Sequence, residues 1–410
     1  MPELEHTRHR LAVRAVNGAA AALRRLGIEI ASLEPESLLA AARRASGLCD
    51  FGPRDFEQGL GVFTLSLETD ARLTPIGRKG LRDFLINALV TRLQRIELRR
   101  TRPALFDSEL VAPLMVIGLP RSGTTFLHRL LALAPEARPL RYFEVRHPIA
   151  PPGQDDRRER SRREHRGMAW LAPGLDAKHF SAPDEAEECL FLFDSTMVSS
   201  SFWVAAPAYR YLDWYTEQDQ RGPYRQYREH LQIFQAEQPT RRLTLKAPIH
   251  TANLGALIEA VPNVRLVQLH RDPAQALNSV NSLFYTLHHA VSDELDLHKL
   301  GRANLEFMAH GIERNLAARD ALAPGTLIDV YYDELVADPV GVVRRIREHH
   351  GLDFDADYAA RIEAFVRANP QHKHGRHRYS SADFGLDDES IRARFASYLE
   401  QFPRLRPAGK

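Results

Sequence analysis

Eight consecutive residues, Gly118-Leu119-Pro120-Arg121-Ser122-Gly123-Thr124-Thr125, carry the clearest chemistry in the chain. Two glycines let a backbone curl so that successive N–H groups converge on an anion. The apolar run Phe126-Leu127-His128-Arg129-Leu130-Leu131 reads as a helix whose amino terminus adds partial positive charge to the same point. Ser122, Thr124 and Thr125 offer hydroxyl donors. The spacing is that of the nucleotidase loop G-x-x-x-x-G-K-[ST], but Thr124 stands where that loop has lysine. A kinase or ATPase uses that lysine on the β- and γ-phosphates beside magnesium. Here the fixed charge is Arg121, earlier in the loop and suited to a single anionic group.

Other reactive side chains follow at strand ends. The run Val264-Arg265-Leu266-Val267-Gln268-Leu269 leads into His270-Arg271-Asp272-Pro273, and Ser279 lies eight residues beyond Arg271 in the next helix. If the turn folds that helix back beside the strand, Arg271 and Ser279 meet on a second anion. Leu243-Thr244-Leu245 runs into Lys246, with His250 four residues on. A lysine there faces the same crevice and can offset charge developing on a leaving group. An imidazole has a suitable pKa for a base, which makes His250 one candidate proton acceptor.

The segment Pro120-Arg-Ser-Gly-Thr-Thr125 resembles the 5′-phosphosulfate loop of sulfotransferases that use 3′-phosphoadenosine 5′-phosphosulfate (PAPS), in the arginine-containing form of the bacterial and tyrosylprotein branches. Arg271 and Ser279 are similar to that family's 3′-phosphate site, and Lys246 to the lysine of its L-K-x-P turn. Tyr331-Tyr332-Asp333-Glu334-Leu335 with Asp338-Pro339 is similar to its Y-E-D-L-x-x-D-P segment, whose tyrosine lies against adenine and maps to Tyr332. The resemblance implies sulfuryl transfer from PAPS to a hydroxyl or amine of a small acceptor, leaving 3′,5′-bisphosphoadenosine (PAP). It implies that Arg121, Ser122, Gly123, Thr124, Thr125, Arg271, Ser279 and Tyr332 bind the nucleotide, with Lys373 and Arg376 in a basic closing loop. It implies a base at Glu144, kept ionised by Arg141 and Arg146, with His250 as the rival. No metal is implied, because Arg121, Lys246 and Arg271 supply the positive charge.

These residues need an α/β frame. Ala112–Gly118, 243–245, 265–269 and 326–331 are short apolar runs of the kind buried in a parallel sheet, separated by helical stretches. A doubly wound, P-loop-like parallel sheet is expected over residues 109–400, with a helical insertion at 150–240 and a lid and helix at 370–400. The insertion holds Trp203, Tyr209, Tyr211, Trp214 and Tyr215, and part of it is expected to line an acceptor pocket for a hydrophobic alcohol or phenol. Residues 1–108 have helical periodicity, including a helix opened by Pro35, and read as a cap or a homodimer contact.

Composition fits this frame. The chain has 410 residues, 44% apolar and 26% charged, with a formal net charge of +2, so nothing suggests nucleic acid as a partner. Cys49 and Cys189 form neither a disulfide framework nor a metal spacing. With no signal-like amino terminus and no apolar run of about 18 residues, a cytoplasmic protein without a membrane span is expected. The alternatives are a P-loop kinase, opposed by the missing lysine, and a non-catalytic adenine-nucleotide module, which would need no base.

Overall fold

The computed structural model describes residues 11–25, 31–151, 153–178, 181–369 and 380–406. Five strands, β1 (Leu114–Gly118), β2 (Ala137–Pro139), β3 (Arg242–Lys246), β4 (Arg265–His270) and β5 (Leu327–Tyr331), form one sheet in the order β2-β3-β1-β4-β5. Every pairing is parallel. The four strands expected from apolar runs are present within a residue or two of their bounds. β2 is additional: three residues at the sheet edge, one of them proline, leave no periodic signal.

Alternation along β1 shows why the sheet is covered on both faces. Met115 and Ile117 join Leu243, Leu245 and Leu266 in a core shared with Tyr224, Leu231 and Phe234 of the helix Arg221–Glu237. Leu114 and Val116 join Val267, Leu269 and Val330 against Leu127, Leu130, Val343 and Ile346 on the other side. Successive residues of a strand point to opposite faces, so both sets must be apolar.

The amino-terminal region begins helically at Leu11–Arg25 and at Pro35–Ser46, with Pro35 in the first turn. The 27-residue helix Pro75–Thr101, opened by the Thr74 cap and Pro75, carries Leu81, Leu85, Leu89 and Leu93 into a third core. Phe202, Ala206, Tyr211 and Tyr215 fill the other side of that core. The helices Pro35–Ser46 and Pro75–Thr101 therefore bury their apolar stripes within their own chain. Phe63 stacks on Phe202 with ring centroids 4.7 Å apart, and Tyr211 meets Phe63 edge-on at 5.1 Å. Among the described residues, no helix is long and apolar enough to cross a membrane.

Four fully buried histidines are held neutral by the fold. Burial lowers His230 and His250 to about 3. It lowers His128 and His288 to about 4, against backbone carbonyl contacts at Thr244 and Trp203 that act the other way. An unfolded histidine titrates near 6.5, so between roughly pH 6.5 and 4 the unfolded chain binds more protons. Stability from these groups is thus complete above 6.5 and is lost as pH falls, each contributing a slope of about 1.4 kcal/mol per pH unit. Asp194, raised to about 6 by burial, works in the opposite sense, but it is one group against four. Urea unfolding at pH 7.5 and 5.5 should show a drop of several kcal/mol at the lower pH; equal midpoints would contradict the neutral burial of these rings.

Candidate active site

β1 ends at Gly118, whose φ of +133° no side chain tolerates easily. A Cβ there would lie 2.4 Å from the carbonyl oxygen of Leu269, so glycine lets β1 and β4 approach at their carboxyl ends. Gly123, at φ +93°, opens the helix Thr124–Leu131, and a Cβ on it would press 2.8 Å from the Tyr332 ring. Between them Arg121 adopts φ +66°, a conformation costly for any residue with a Cβ and held here by its contacts. Ser122 turns inward, its hydroxyl donating to the Leu119 carbonyl at 2.6 Å, which ties the loop to itself.

Three strand ends converge on this loop. Arg271, after β4, donates from Nη1 to the Arg121 carbonyl at 2.7 Å, and its guanidinium lies 4.2 Å over the Tyr332 ring. Its Nε is buried with no hydrogen-bond partner among the described residues. Arg121 Nε donates to the Ser279 hydroxyl at 3.0 Å. The helix Pro273–Val291 that carries Ser279 starts on the Asp272 cap, which also pairs with Arg392 at 2.7 Å. Arg121, Arg271, Ser279 and Tyr332 therefore form one linked group, although Arg271 and Ser279 meet through Arg121 rather than directly. At the end of β3, buried Lys246 donates to Thr125 Oγ1 at 3.1 Å and to Glu188 Oε1 at 2.5 Å.

The two residues singled out as bases are placed elsewhere. Glu144 is buried, accepting from Arg138 Nη1 at 2.9 Å and Nη2 at 2.5 Å, and from the Arg141 amide at 2.8 Å. Its cationic partner is Arg138, not Arg141 or Arg146. Arg146 instead sits between the Phe84 and Phe191 rings, beside Glu164 and Asp194. This corrects the local reading: the carboxylate closes a capping box at the helix Tyr142–Arg146 and pins it to β2. We expect Glu144→Ala to cost about 3 kcal/mol in denaturant unfolding, because it strips a buried guanidinium of its main partner; a loss below about 1 kcal/mol would contradict that role. His250 is also corrected. It faces the core, between the Tyr224 hydroxyl at 2.7 Å and Cys189 Sγ at 3.3 Å, beneath Phe193 and Tyr227. Fully buried and lowered to about 3, it cannot reach a substrate.

Trp203, Tyr211 and Tyr215 are core residues with almost no exposure, so their number does not describe a ligand cage. Lys373 and Arg376 lie outside the described residues. The described segment that follows them is fastened beside Ser279, where Asn278 donates to Ser381 Oγ at 2.8 Å and to Asp388 Oδ1 at 3.2 Å. The residue that sequence reasoning missed is Glu188. Its position in Glu187-Glu188-Cys189-Leu190 gives no motif, and only the fold brings it to Lys246, 58 positions away.

A parallel sheet with a glycine-bounded strand–loop–helix turn at its carboxyl edge defines the P-loop-like α/β class. Within that class, the model of the sulfotransferase family matches residues 113–356, more than half the chain, and the chain belongs to that family. A curated relative, the omega-hydroxy-beta-dihydromenaquinone-9 sulfotransferase Stf3 of Mycobacterium bovis, is 24% identical over 322 residues, covering 72% of this chain and 78% of that one. The crystal structure of sulfotransferase STF9 from Mycobacterium avium is similar with a TM-score of 0.83 at 28% identity, covering 93% of this chain and 100% of that one. STF1 from Mycobacterium tuberculosis gives a TM-score of 0.74 at 31% identity, covering 88% and 98%. The protein is accordingly a sulfotransferase.

Proposed function

We propose that the chain transfers a sulfuryl group from PAPS to a hydroxyl of a small acceptor. The observation that supports this reading is the linked group Arg121–Ser279 and Arg271–Tyr332, which brings the glycine loop and the turn after β4 together around one aromatic ring. PAPS has two separate anionic ends on one adenosine, whereas ATP has a single phosphate chain and would leave one site unused. The residues present fit such a ligand: the missing Cβ at Gly123 lets the Tyr332 ring lie directly against the loop, and Arg271 Nε is a buried donor with no partner among the described residues.

In this reading the loop amides, Thr124, Thr125 and Arg121 hold the 5′-phosphosulfate, and Arg271 with Ser279 holds the 3′-phosphate. Tyr332 supports the adenine side, and Lys373 and Arg376 would close over the 3′-phosphate. Lys246 faces the loop through Thr125 and is placed to balance charge on the oxygen that departs from sulfur. The donor supplies an activated sulfur; positioning and charge compensation come from the protein. For the acceptor, the name of the mycobacterial relative, a hydroxylated dihydromenaquinone sulfotransferase, supports a hydroxyl on a largely apolar molecule.

Calorimetric titration with PAP and, separately, with ATP and magnesium tests the donor. PAP should bind clearly tighter. Preference for ATP, or no heat with PAP, would reject the reading in favour of a nucleoside-triphosphate enzyme.

A further inference from the structure

We propose that Glu188 is the catalytic base that takes the acceptor's proton, and that Lys246 holds it in place between catalytic events; this rests on the donor reading above. The site must contain a carboxylate or imidazole within hydrogen-bond reach of the acceptor. The geometry removes the other neighbours one at a time. Glu144 is consumed by Arg138 and a backbone amide. His250 and His128 are fully buried, the former in an aromatic core and the latter against the Thr244 carbonyl. Glu187 is buried and turned back on the chain, its Oε1 accepting the Glu188 amide at 2.8 Å and its own amide donating to Leu140.

Glu188 differs from all of these. It is partly exposed, with 18% of its side chain accessible, while the lysine it grips is 1% accessible. Lys246 is thus a buried bridge with Thr125 of the anion loop on one side and Glu188 on the other. A group entering from solvent meets Glu188 before it meets Lys246. The chain that follows fixes this arrangement: the 3-10 turn Cys189–Thr196 starts directly after Glu188 and packs Cys189, Leu190, Leu192 and Phe193 into the sheet core. That leaves Glu188 as the first residue on the outer side.

The step balances as follows. Glu188 accepts the proton of the acceptor O–H as the acceptor oxygen forms its bond to sulfur. The bond from sulfur to the bridging oxygen of the 5′-phosphate breaks, and its electron pair leaves on PAP. As Glu188 becomes a neutral carboxylic acid its hold on Lys246 weakens, just when negative charge grows on the oxygen beside the loop. Lys246 is then free to turn its charge to that oxygen, so proton removal and leaving-group stabilisation are coupled through one ammonium.

Glu188→Gln keeps an oxygen that can accept from Lys246 but cannot take a proton. With saturating PAPS and a phenol panel of graded acidity, kcat should fall at least a hundredfold for weakly acidic phenols, a typical value for loss of a general base. The deficit should shrink steadily for acidic phenols such as 4-nitrophenol, which are ionised without help. PAP affinity, by calorimetry on the same variant, should stay within about threefold. Near-full activity of Glu188→Gln on weakly acidic phenols would overturn the proposal, and so would an equal loss on every phenol, which would mark Glu188 as only a positioning residue for Lys246. If wild type itself fails to bind PAP, the donor reading is what has failed. Glu144→Gln serves as the control: it should lose stability, while its kcat per folded molecule stays near wild type.

Discussion

Replacing Lys246 with methionine is expected to lower kcat by about 10²–10³ while PAP affinity changes much less. The range is that of removing one preorganised donor aimed at developing charge. Methionine keeps most of the volume, which matters because Lys246 is fully buried at the end of β3 and its neighbours Leu245 and Ala247 belong to the core. The loss should appear mainly in kcat, since the lysine touches the loop through the Thr125 hydroxyl rather than through the turn that shapes it. Initial rates at saturating PAPS and acceptor, alongside PAP calorimetry, measure the two quantities separately. A kcat within tenfold of wild type would show that the ammonium only fastens Glu188 and takes no part in the transition state.

Arg271→Ala carries the other large effect, and it falls on binding. The guanidinium spans the Arg121 carbonyl and the Tyr332 ring and keeps one buried N–H unengaged. Hydrogen bonds to charged groups contribute about 1.5–3 kcal/mol, so PAP should bind some 10- to 150-fold more weakly. Adenosine 5′-phosphosulfate, which lacks the 3′-phosphate, provides the internal comparison. Its affinity should fall severalfold at most, through the loosened Arg121 carbonyl. Equal losses for the two ligands would mean that Arg271 acts by shaping the loop and not by reading the second phosphate. Lysine is a poor substitute here, because a single ammonium cannot stack on Tyr332 and present a planar fork at once.

The sheet and its loop were legible because each leaves a local mark. A strand buried on both faces is a short apolar run, as β1, β3 and β4 show, and the half-buried edge strand β5 keeps enough of one to be found. Gly118 and Gly123 are marked by conformations that other residues resist. The base was not legible, since it depends on which way a side chain turns from its helix or strand. His250 stands four residues from Lys246, yet the helical turn Ile249–Ala252 rotates its ring into the core, toward Tyr224. Glu144 has arginines at 141 and 146, but the guanidinium that reaches it comes from Arg138 on an edge strand too short to recognise. Glu188 met its lysine only when a segment far along the chain folded over β3. The buried rings of Trp203, Tyr211 and Tyr215 were ambiguous for a related reason: large rings fill cores as readily as pockets, and sequence does not distinguish the two.

The tail and the amino-terminal helices have a consequence for what counts as one unit. The family signature ends well short of both chain ends. Yet Leu85, Leu89 and Leu93 before it are packed on Phe202 and Tyr211 within it. Phe395, Tyr398 and Phe402 after it share a core with Leu277 and Phe284, and Tyr398 hydrogen-bonds His270 at 2.9 Å, next to Arg271. The segment that the family signature matches and the cohesive body are therefore different lengths of the same polypeptide. Cutting at the borders of that signature would strip apolar faces on two sides and unbrace the turn that carries Arg271, so the signature marks out the loop and strand ends while part of the fold's cohesion lies in flanking chain outside it.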